Sequence, residues 1–288
     1  MSHRIYYFSG TGNSLWVARK MKESFPEAEL IPITNDLPIE LETTGVQIAG
    51  SDDQEGLVAV ESHQKKQNII GLVFPVYFTK PPRIVMNFIQ KMPNADYVYA
   101  VATCGMIAGG VLNVLKNALL QRGITLSAGY IIPLTTNFVL LPNIKSEKGL
   151  DKAFKKAEAK TQDIAVNIKN RALRFDKNVI GILQKPFSVL VANPIYRRAP
   201  MLDKKFKVSS TCISCGACRD VCPVQNITLS GGKPVFHHQC EMCFSCINWC
   251  PRKAINWTAA TKGHRRYRCR DISKDDVIAK RYFRVKKE

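Results

Sequence analysis

The sequence predicts an α/β protein in which a doubly wound parallel sheet is followed by a small α+β domain. Short apolar runs alternate with amphipathic stretches in the first half, which is typical of a parallel sheet with helices on both faces. Eight of the ten cysteines lie between residues 212 and 250, which sets a second unit apart. The chain has 288 residues, of which 45% are apolar, and this is enough for two domains with a buried core.

The predicted elements of the first half follow one another in strand–helix order. Strands are predicted where apolar, β-prone runs end near Gly or Pro, and helices where apolar residues recur every three or four positions. The predicted strands are 4–10, 68–78, 97–105 and 124–134, and the predicted helices are 13–25, 83–92, 110–123 and 149–175. The buried face of the last helix is expected to carry Ala153, Ala157, Ile164, Ile168 and Leu173.

These patterns divide the chain into four segments. We expect the sheet domain over 1–175, an apolar, proline-broken connector over 176–202, the cysteine domain over 203–260 and a basic tail over 261–288. The connector is expected to pack between the domains, with attachment to a membrane surface as the alternative. No stretch has the roughly 20 apolar residues of a membrane span, and the N-terminus shows no signal-peptide pattern, so we expect a cytoplasmic location.

Two cysteine repeats, CISCGACRDVCP and CEMCFSCINWCP, share the spacing C-x2-C-x2-C-x3-C-P. This is the run of bacterial two-cluster ferredoxins, in which the fourth cysteine ligates the other cluster. Three cysteines on one tight loop can wrap three irons of a cubane, but the loop cannot turn back to reach the fourth iron. We therefore predict one [4Fe–4S] cluster on Cys212, Cys215, Cys218 and Cys250. The second is predicted on Cys222, Cys240, Cys243 and Cys246.

A structural zinc site is the alternative for such a cysteine-rich segment. Zinc takes four ligands, usually in two pairs and often including His. The two triplets and two single cysteines need no further ligand, which leaves none for His237 and His238 to supply. The spacing therefore favours iron–sulfur clusters. Small or apolar neighbours are expected to keep water from the sulfurs; they are Ile213, Gly216, Ala217, Phe244 and Ile247.

A glycine-rich loop, FSGTGNS, joins the first predicted strand to the first predicted helix. Its glycines let backbone N–H groups close on an anion, its hydroxyls add donors, and the helix start favours negative charge. Neither the third glycine of a dinucleotide motif nor a Walker lysine follows, which counts against NAD and ATP. A phosphate bound without lysine or arginine fits flavin mononucleotide (FMN); the alternative is a glycine-rich turn without a ligand.

This loop resembles the flavodoxin phosphate motif [ST]-x-T-G-x-[ST]. The resemblance implies a flavodoxin-like sheet with FMN beside the loops after the first, third and fourth strands. It implies that the phosphate is held by Ser9, Thr11, Gly12, Asn13 and Ser14. Tyr77 and Phe78 would stack on the isoalloxazine ring, or belong simply to the core, and the edge of the ring would meet Thr103, Cys104 and Gly105.

Together, the two halves resemble the fused flavodoxin–ferredoxin proteins of anaerobic prokaryotes, the EFR1-type ferrodoxins. The resemblance implies electron transfer between FMN and two [4Fe–4S] clusters, with redox proteins as partners. One alternative is a flavin-dependent reductase with its own small-molecule substrate. A redox-sensing nucleic-acid binder that uses the basic tail is the other.

Basic residues dominate the surface charge. The formal net charge is +19, and residues 203–288 contain 18 Lys or Arg against 7 Asp or Glu. Clusters and a flavin phosphate would balance part of this excess because they are anionic; the remainder favours an acidic redox partner over nucleic acid.

Two cysteines lie outside the repeats. Cys104 is expected to be a small buried residue near the flavin, with a redox role as the alternative. The cationic neighbours of Cys269 in HRRYRCRDI are expected to lower the pKa of its thiol. The alternative for Cys269 is a half-exposed thiol without a function.

Overall fold

The computed structural model describes residues 2–35, 37, 68–105, 107–140, 146–177, 190 and 192–278. Most of the predicted connector, at 178–189 and 191, lies outside the described residues. The end of the predicted basic tail, 279–288, lies outside them as well.

The first half of the chain forms a five-stranded parallel sheet with the strand order β2-β1-β3-β4-β5. Its strands are β1 Ser2–Tyr7, β2 Glu29–Pro32, β3 Asn68–Pro75, β4 Tyr97–Cys104 and β5 Leu126–Pro133. This is the flavodoxin-like doubly wound order, whose direction reverses between β1 and β3. The predicted fold class is therefore confirmed, although β2 was not among the predicted strands.

Helices cover both faces of the sheet because its strands are apolar on both sides. On one face, α1 Asn13–Ser24 packs against α4 Glu147–Lys169, over a core that includes Ile5 and Val73. The opposite face is covered by α2 Arg83–Ile89 and α3 Val111–Leu120. The carboxyl ends of the strands are left for the loops that carry the candidate site.

Helix α4 ends at Lys169, before the predicted end at residue 175. Four of the five residues expected on its apolar face are buried, but Leu173 is 81% exposed. Arg171 adopts a left-handed conformation with φ of 51°, and Phe175 then forms a bridge to Gly129 of β5. The prediction for Leu173 was wrong because the chain leaves the helix and returns to the sheet before reaching it.

Short elements build the second half around the cysteine loops. They are α5 Asn193–Arg198, a 3-10 helix Ala199–Lys205, β6 Phe206–Val208, α6 Ala217–Asp220, β7 Ile227–Ser230, β8 Lys233–Phe236, α7 Ser245–Asn248, β9 Ile255–Trp257, a 3-10 helix Ala259–Thr261 and α8 Lys274–Val277. Strand β6 pairs with β9 and β7 pairs with β8, both antiparallel. Helices α6 and α7 each contain the third cysteine of a repeat, and Ile227 and Ile255, each five residues after a fourth cysteine, share one core.

The second half packs against the carboxyl edge of the sheet. Val224 and Cys243 join one sheet core, and Val221 and Trp249 join the other. The two halves therefore share buried apolar contacts on either side of the loop that follows β1. In the described part of the chain, no helix combines the length and the apolar character needed to cross a bilayer.

Candidate functional site

The first group of cysteines surrounds a single cavity. Its lining includes all four thiols predicted for the first cluster, Cys212, Cys215, Cys218 and Cys250. Three of them belong to the first repeat and the fourth to the second, which follows from the way the repeats pack together. Cys215 is exposed at the rim of the cavity, whereas Cys250 is buried.

The second group gathers the other four cysteines deeper in the molecule. Burial raises the pKa of the Cys246 thiol well above its ordinary value, and the nearby Cys240, Cys243 and Cys222 raise it further. These three neighbours are the cysteines that the spacing assigns to the second cluster; Cys218 of the first predicted set also raises the pKa of Cys246, so the two sets lie close together. Cys240, Cys243 and Cys246 are buried, and Cys222 is half-buried.

Equivalent positions of the two repeats have the same backbone conformation. Left-handed φ angles occur in matching pairs at Ser214 and Met242, Gly216 and Phe244, and Gln225 and Lys253. The same match extends to the sulfurs of the fourth cysteines. The backbone N–H of Asn226 donates to Cys222 Sγ at 3.2 Å, and that of Ala254 donates to Cys250 Sγ at 3.3 Å. The two repeats are therefore similar in structure as well as in sequence.

The thiols of Cys218 and Cys222 are neutral until a metal deprotonates them. Burial raises the pKa of Cys218 to about 11 and that of Cys222 to about 12, and iron binding requires the thiolate. Among the described residues, no three His, Cys, Asp or Glu side chains converge on a single ion. A cubane does not require such convergence because each thiolate binds its own iron. The donor set therefore fits iron–sulfur clusters.

The glycine loop and three neighbouring loops enclose a second cavity. It lies at the carboxyl ends of β1, β3, β4 and β5, and its volume is about 40 Å³. Its lining consists of Ser9, Gly10, Thr11, Asn13, Ser14, Pro75, Val76, Tyr77, Thr103, Cys104, Gly105, Thr135, Thr136 and Asn137. Most of the residues predicted to bind FMN are thus brought together here, but Gly12 and Phe78 do not line the cavity.

The conformation of the glycine loop depends on Gly12. This residue has φ of 105°, and a Cβ in its place would stand 2.7 Å from Cys269 Cβ. Its backbone N–H donates to Ser9 Oγ at 3.1 Å, and helix α1 then begins without a side-chain cap. The Ser14 and Thr103 hydroxyls are 2.8 Å apart and join the loop to the end of β4. An uncapped helix start beside hydroxyl groups suits an anion.

The size of this cavity fits one end of FMN. By this measure a water needs about 10–15 Å³, so a cavity of about 40 Å³ has room for a few waters or one phosphate group. An isoalloxazine ring is much larger than that. Tyr77 makes an edge-to-face contact with Phe8, and Phe78 makes one with Phe138. The lining therefore fits the phosphate, whereas this cavity does not accommodate the ring.

A larger cavity of about 310 Å³ lies on the other side of Ser9. It is bounded by the ends of β1 and β2, by Pro223 and by the ion pair between Arg19 and Asp276. Burial acts to raise the pKa of Asp276, but bonds from Arg19 and Ser273 outweigh it and hold the pKa at about 2. Ser9 is shared with the smaller cavity, and no other residue predicted to bind FMN lines the larger one.

The second cysteine loop rests directly on the glycine loop. Ser245 Oγ donates to the Gly10 carbonyl oxygen at 2.5 Å, and Trp249 Nε1 donates to the same oxygen at 3.1 Å. Asn137 Nδ2 donates to the Cys243 carbonyl oxygen at 2.9 Å. A Cβ at Gly10 would lie 2.8 Å from that carbonyl oxygen. Only glycine permits this approach of the two backbones.

Glu241 anchors the same loop at its other side. Its side chain is buried beside the start of α2, where it meets Arg83 and the backbone N–H groups of Arg83 and Ile84. Burial raises the pKa of Glu241 to about 7, although Arg83 and these N–H groups act in the opposite direction. The second loop is thus held between α2 and the glycine loop.

A segment near the end of the described chain returns to the glycine loop. Tyr267 Oη donates to Asn13 Oδ1 at 2.6 Å, and the Cys269 backbone N–H donates to the Thr11 carbonyl oxygen at 2.8 Å. Cys269 is 2% exposed, and burial raises the pKa of its thiol to about 12. The predicted lowering of this pKa was wrong. Arg268 and Arg270 lie over Trp249 and Phe154, while the thiol turns into the core.

Sequence reasoning missed several residues of the site. Thr135, Thr136 and Asn137 line the small cavity from the loop after β5. Their signal was a polar run placed directly after a predicted strand, where the loops of an open α/β sheet meet a ligand. Tyr267 had no comparable signal because its partner Asn13 is 254 positions away.

The fold and the cysteine loops define a flavodoxin-like domain joined to a ferredoxin-type iron–sulfur domain. A family described as a 4Fe-4S dicluster domain matches residues 204–251. The ferredoxin of Pyrobaculum islandicum is 45% identical over 47 residues, which are 16% of this chain. The chain spans 44% of that ferredoxin's length. These matches support electron transfer by the second half.

Two solved structures described as flavoproteins resemble the chain more weakly. The structure from Bacteroides uniformis is 19% identical to this chain, with a TM-score of 0.32. The match covers 47% of this chain and 92% of the Bacteroides uniformis chain. The structure from Bacteroides eggerthii is 18% identical to this chain, with a TM-score of 0.31. The match covers 55% of this chain and 98% of the Bacteroides eggerthii chain. At such TM-scores the fold assignment depends on the strand order of the sheet and not on these two structures.

Proposed function

We propose that this protein transfers electrons between two [4Fe–4S] clusters and FMN, as in the EFR1-type fusions that its sequence resembles. The observation that carries the proposal is the cavity lined by Cys212, Cys215 and Cys218 of the first repeat together with Cys250 of the second. The second set lies against the glycine loop through Cys243 and Gly10. Metal ligands and the candidate phosphate loop are thus in contact.

The eight cysteines of the repeats would supply one thiolate to each iron of the two clusters. When bound, the clusters exchange single electrons and FMN exchanges one or two. Backbone N–H groups of Asn226 and Ala254 donate to the sulfurs of Cys222 and Cys250. Such bonds offset negative charge on the sulfur and so favour the reduced state. Buried apolar residues around the second set keep water from its sulfurs.

The glycine loop is the part of the chain that would hold the FMN phosphate. Thr11 and Ser14 bring hydroxyl groups to a cavity whose described lining contains neither Lys nor Arg. The start of α1 adds the favourable end of a helix dipole. This lining fits a phosphate ester, and the proposal for FMN also depends on the resemblance to flavodoxins.

The test is the composition of the protein purified without oxygen. We expect about eight irons per chain from the ligand count, and about one FMN. Iron and acid-labile sulfide analysis, EPR of the reduced protein and flavin fluorescence after acid release would measure both. Bound zinc, or fewer than about four irons after reconstitution, would contradict the cluster proposal.

A pair of threonine variants separates FMN binding from cluster binding. Thr11→Val removes a hydroxyl from the small cavity and should lower the flavin content without lowering the iron content. Thr161→Val is the control because this buried hydroxyl donates within α4, to the Ala157 carbonyl oxygen at 2.7 Å, away from the glycine loop. Equal flavin content in both variants would count against the glycine loop as the FMN site.

A further inference from the structure

The first cysteine loop is the exposed side of the iron–sulfur domain. Cys215 is exposed, and the side chain of Ile213 beside it is 59% exposed. Every residue from Glu241 to Cys250 in the second loop is buried. An electron carrier approaching from solvent therefore meets the first group of cysteines and not the second.

The surface around this loop is positively charged. Residues 204–256 contain seven Lys or Arg and two Asp or Glu. All seven cations are exposed: Lys204, Lys205, Lys207, Arg219, Lys233, Arg252 and Lys253. Of the two acids, Asp220 pairs with Arg219 at 2.8 Å and Glu241 is buried. This part of the chain therefore presents positive charge to a partner protein.

Three of these cations adjoin the first cysteine group. Lys233 Nζ donates to the Cys212 carbonyl oxygen at 3.2 Å. Arg252 lines the cavity that the four thiols of the first group surround, and Lys253 follows it in the chain. An exposed apolar residue, Ile213, lies on the same cysteine loop.

We propose that this surface docks an acidic protein that carries one electron at a time. The docking surface consists of Ile213 and Cys215 with Lys233, Arg252 and Lys253 around them. The inference rests on the proposed function, since it requires a cluster on the first cysteine group. One exchange oxidises the carrier by one electron and reduces this protein by one; no bond forms or breaks, and no proton moves.

Charge and position favour an acidic carrier over nucleic acid. Complementary charge steers proteins together and raises association rates, and an apolar residue at the centre of a charged rim is typical of a protein interface. Single-stranded nucleic acids stack on aromatic side chains, and residues 211–219, TCISCGACR, contain none.

The experiment compares two charge-reversed proteins loaded with their cofactors. Lys233→Glu/Lys253→Glu changes the proposed surface at two exposed residues outside the cluster cavity. Lys155→Glu/Lys156→Glu makes the same charge change at two exposed neighbours on α4. The probe is an acidic plant-type [2Fe–2S] ferredoxin, reduced beforehand and mixed without oxygen in a stopped-flow instrument. Photoreduced deazariboflavin, which is uncharged, serves as the small electron donor.

We expect the first double variant to accept electrons from the ferredoxin about tenfold more slowly at low ionic strength. Raising the ionic strength to about 0.1 M should reduce the difference, because exposed charges are then screened. The α4 variant should behave as the unmodified protein does. All three proteins should be reduced by deazariboflavin at the same rate.

Several results would overturn this inference. Equal slowing of both double variants would show an effect of net charge alone, and unchanged ferredoxin rates would show no docking at this surface. If only binding of a short single-stranded DNA were lost, by fluorescence anisotropy, the surface would be a nucleic-acid site. A loaded protein that deazariboflavin cannot reduce would instead refute the proposed electron transfer itself.

Discussion

In the first cysteine repeat Cys215 reaches solvent, whereas in the second the equivalent Cys243 is buried against the glycine loop. The backbones hardly differ. In both repeats, the residue before the helix that contains the third cysteine has a left-handed conformation, with φ of 74° at Gly216 and 56° at Phe244. Identical spacing and backbone thus produce two loops in opposite surroundings, so the surroundings must come from the residues between the cysteines.

Two replacements create the contact with the sheet. Where the first repeat has Ala217 and Val221, the second has Ser245 and Trp249. The latter two side chains donate to the Gly10 carbonyl oxygen, at 2.5 and 3.1 Å. Hydrogen-bond donors therefore stand at the two positions that face the glycine loop.

Two further replacements remove charge from the buried loop. Arg219 is exposed, but its counterpart Ile247 has 0% exposure. Asp220 has Asn248 as its counterpart, and Asn248 Oδ1 accepts the Tyr267 backbone N–H at 2.9 Å. The cysteine spacing predicts the ligands, whereas the intervening residues determine which loop is buried.

The largest expected difference between the repeats comes from removing one ligand in each. Cys215→Ala and Cys243→Ala should each lose about four irons. Cys243→Ala should also lower the midpoint of thermal unfolding more, because Cys243 is buried in a core of the sheet whereas Cys215 is exposed. Iron analysis and circular dichroism would measure both effects. Equal midpoints would mean that the junction does not depend on the second cluster.

Chelation should distinguish the exposed group from the buried one. We expect iron loss to an aqueous chelator, after mild oxidation, in two phases of similar amplitude. The faster phase belongs to the first group, because Cys215 is exposed while Cys240, Cys243 and Cys246 are buried, and apolar surroundings limit solvent access. Absorbance of the iron–chelator complex follows the reaction. Cys215→Ala should lack the fast phase, and a single phase in the unmodified protein would contradict the expected asymmetry.

Two glycines test the two loops by stability. Gly10→Ala should lower the free energy of unfolding by about 3 kcal/mol, since the new Cβ meets backbone that cannot easily move. Gly216→Ala should lower it by about 1 kcal/mol, the cost of a left-handed alanine. The nearest atom to a Cβ there is Arg219 Nη2, at 3.2 Å on a flexible side chain. Denaturant unfolding measures both, and a larger loss at Gly216 would reverse the comparison.

A serine pair gives the smallest expected effect. Ser245→Ala removes the bond to Gly10 and should lower the free energy of unfolding by about 1 kcal/mol. Ser214→Ala in the first loop is exposed and should change it by less than about 0.5 kcal/mol. The same denaturant titration applies. Equal values for the two variants would show that the short contact to Gly10 adds no stability.

The sheet could be predicted because its signal is local. Strands such as 68–78 and 97–105 are long and apolar, and the structure has strands there. Strand β2 was not predicted because Glu29–Pro32 has four residues, of which only Ile31 is buried. The cysteine spacing is an equally local signal. The four cysteines predicted for the first cluster line one cavity, and the assignment of ligands to the two clusters stays a prediction.

Contacts between the halves could not be predicted because no local pattern encodes them. Ser245 and Gly10 are 235 positions apart in the chain. The prediction for the pKa of Cys269 was wrong for a related reason. Its sequence neighbours are cationic, which suggests solvent, but tertiary packing sends those side chains over aromatic rings and buries the thiol. The extents 1–175 and 203–260 for the two domains, and the cytoplasmic location, stay predictions.

The bond between Tyr267 and Asn13 has a consequence for synthesis on the ribosome. The glycine loop is made before its partner, which lies 254 positions later in the chain. At about 5–20 residues per second, the loop waits roughly 13–50 s for that partner. A nascent chain could form the sheet early, but its glycine loop would be complete only after both cysteine loops had emerged. Prematurely released chains would therefore lack a finished loop.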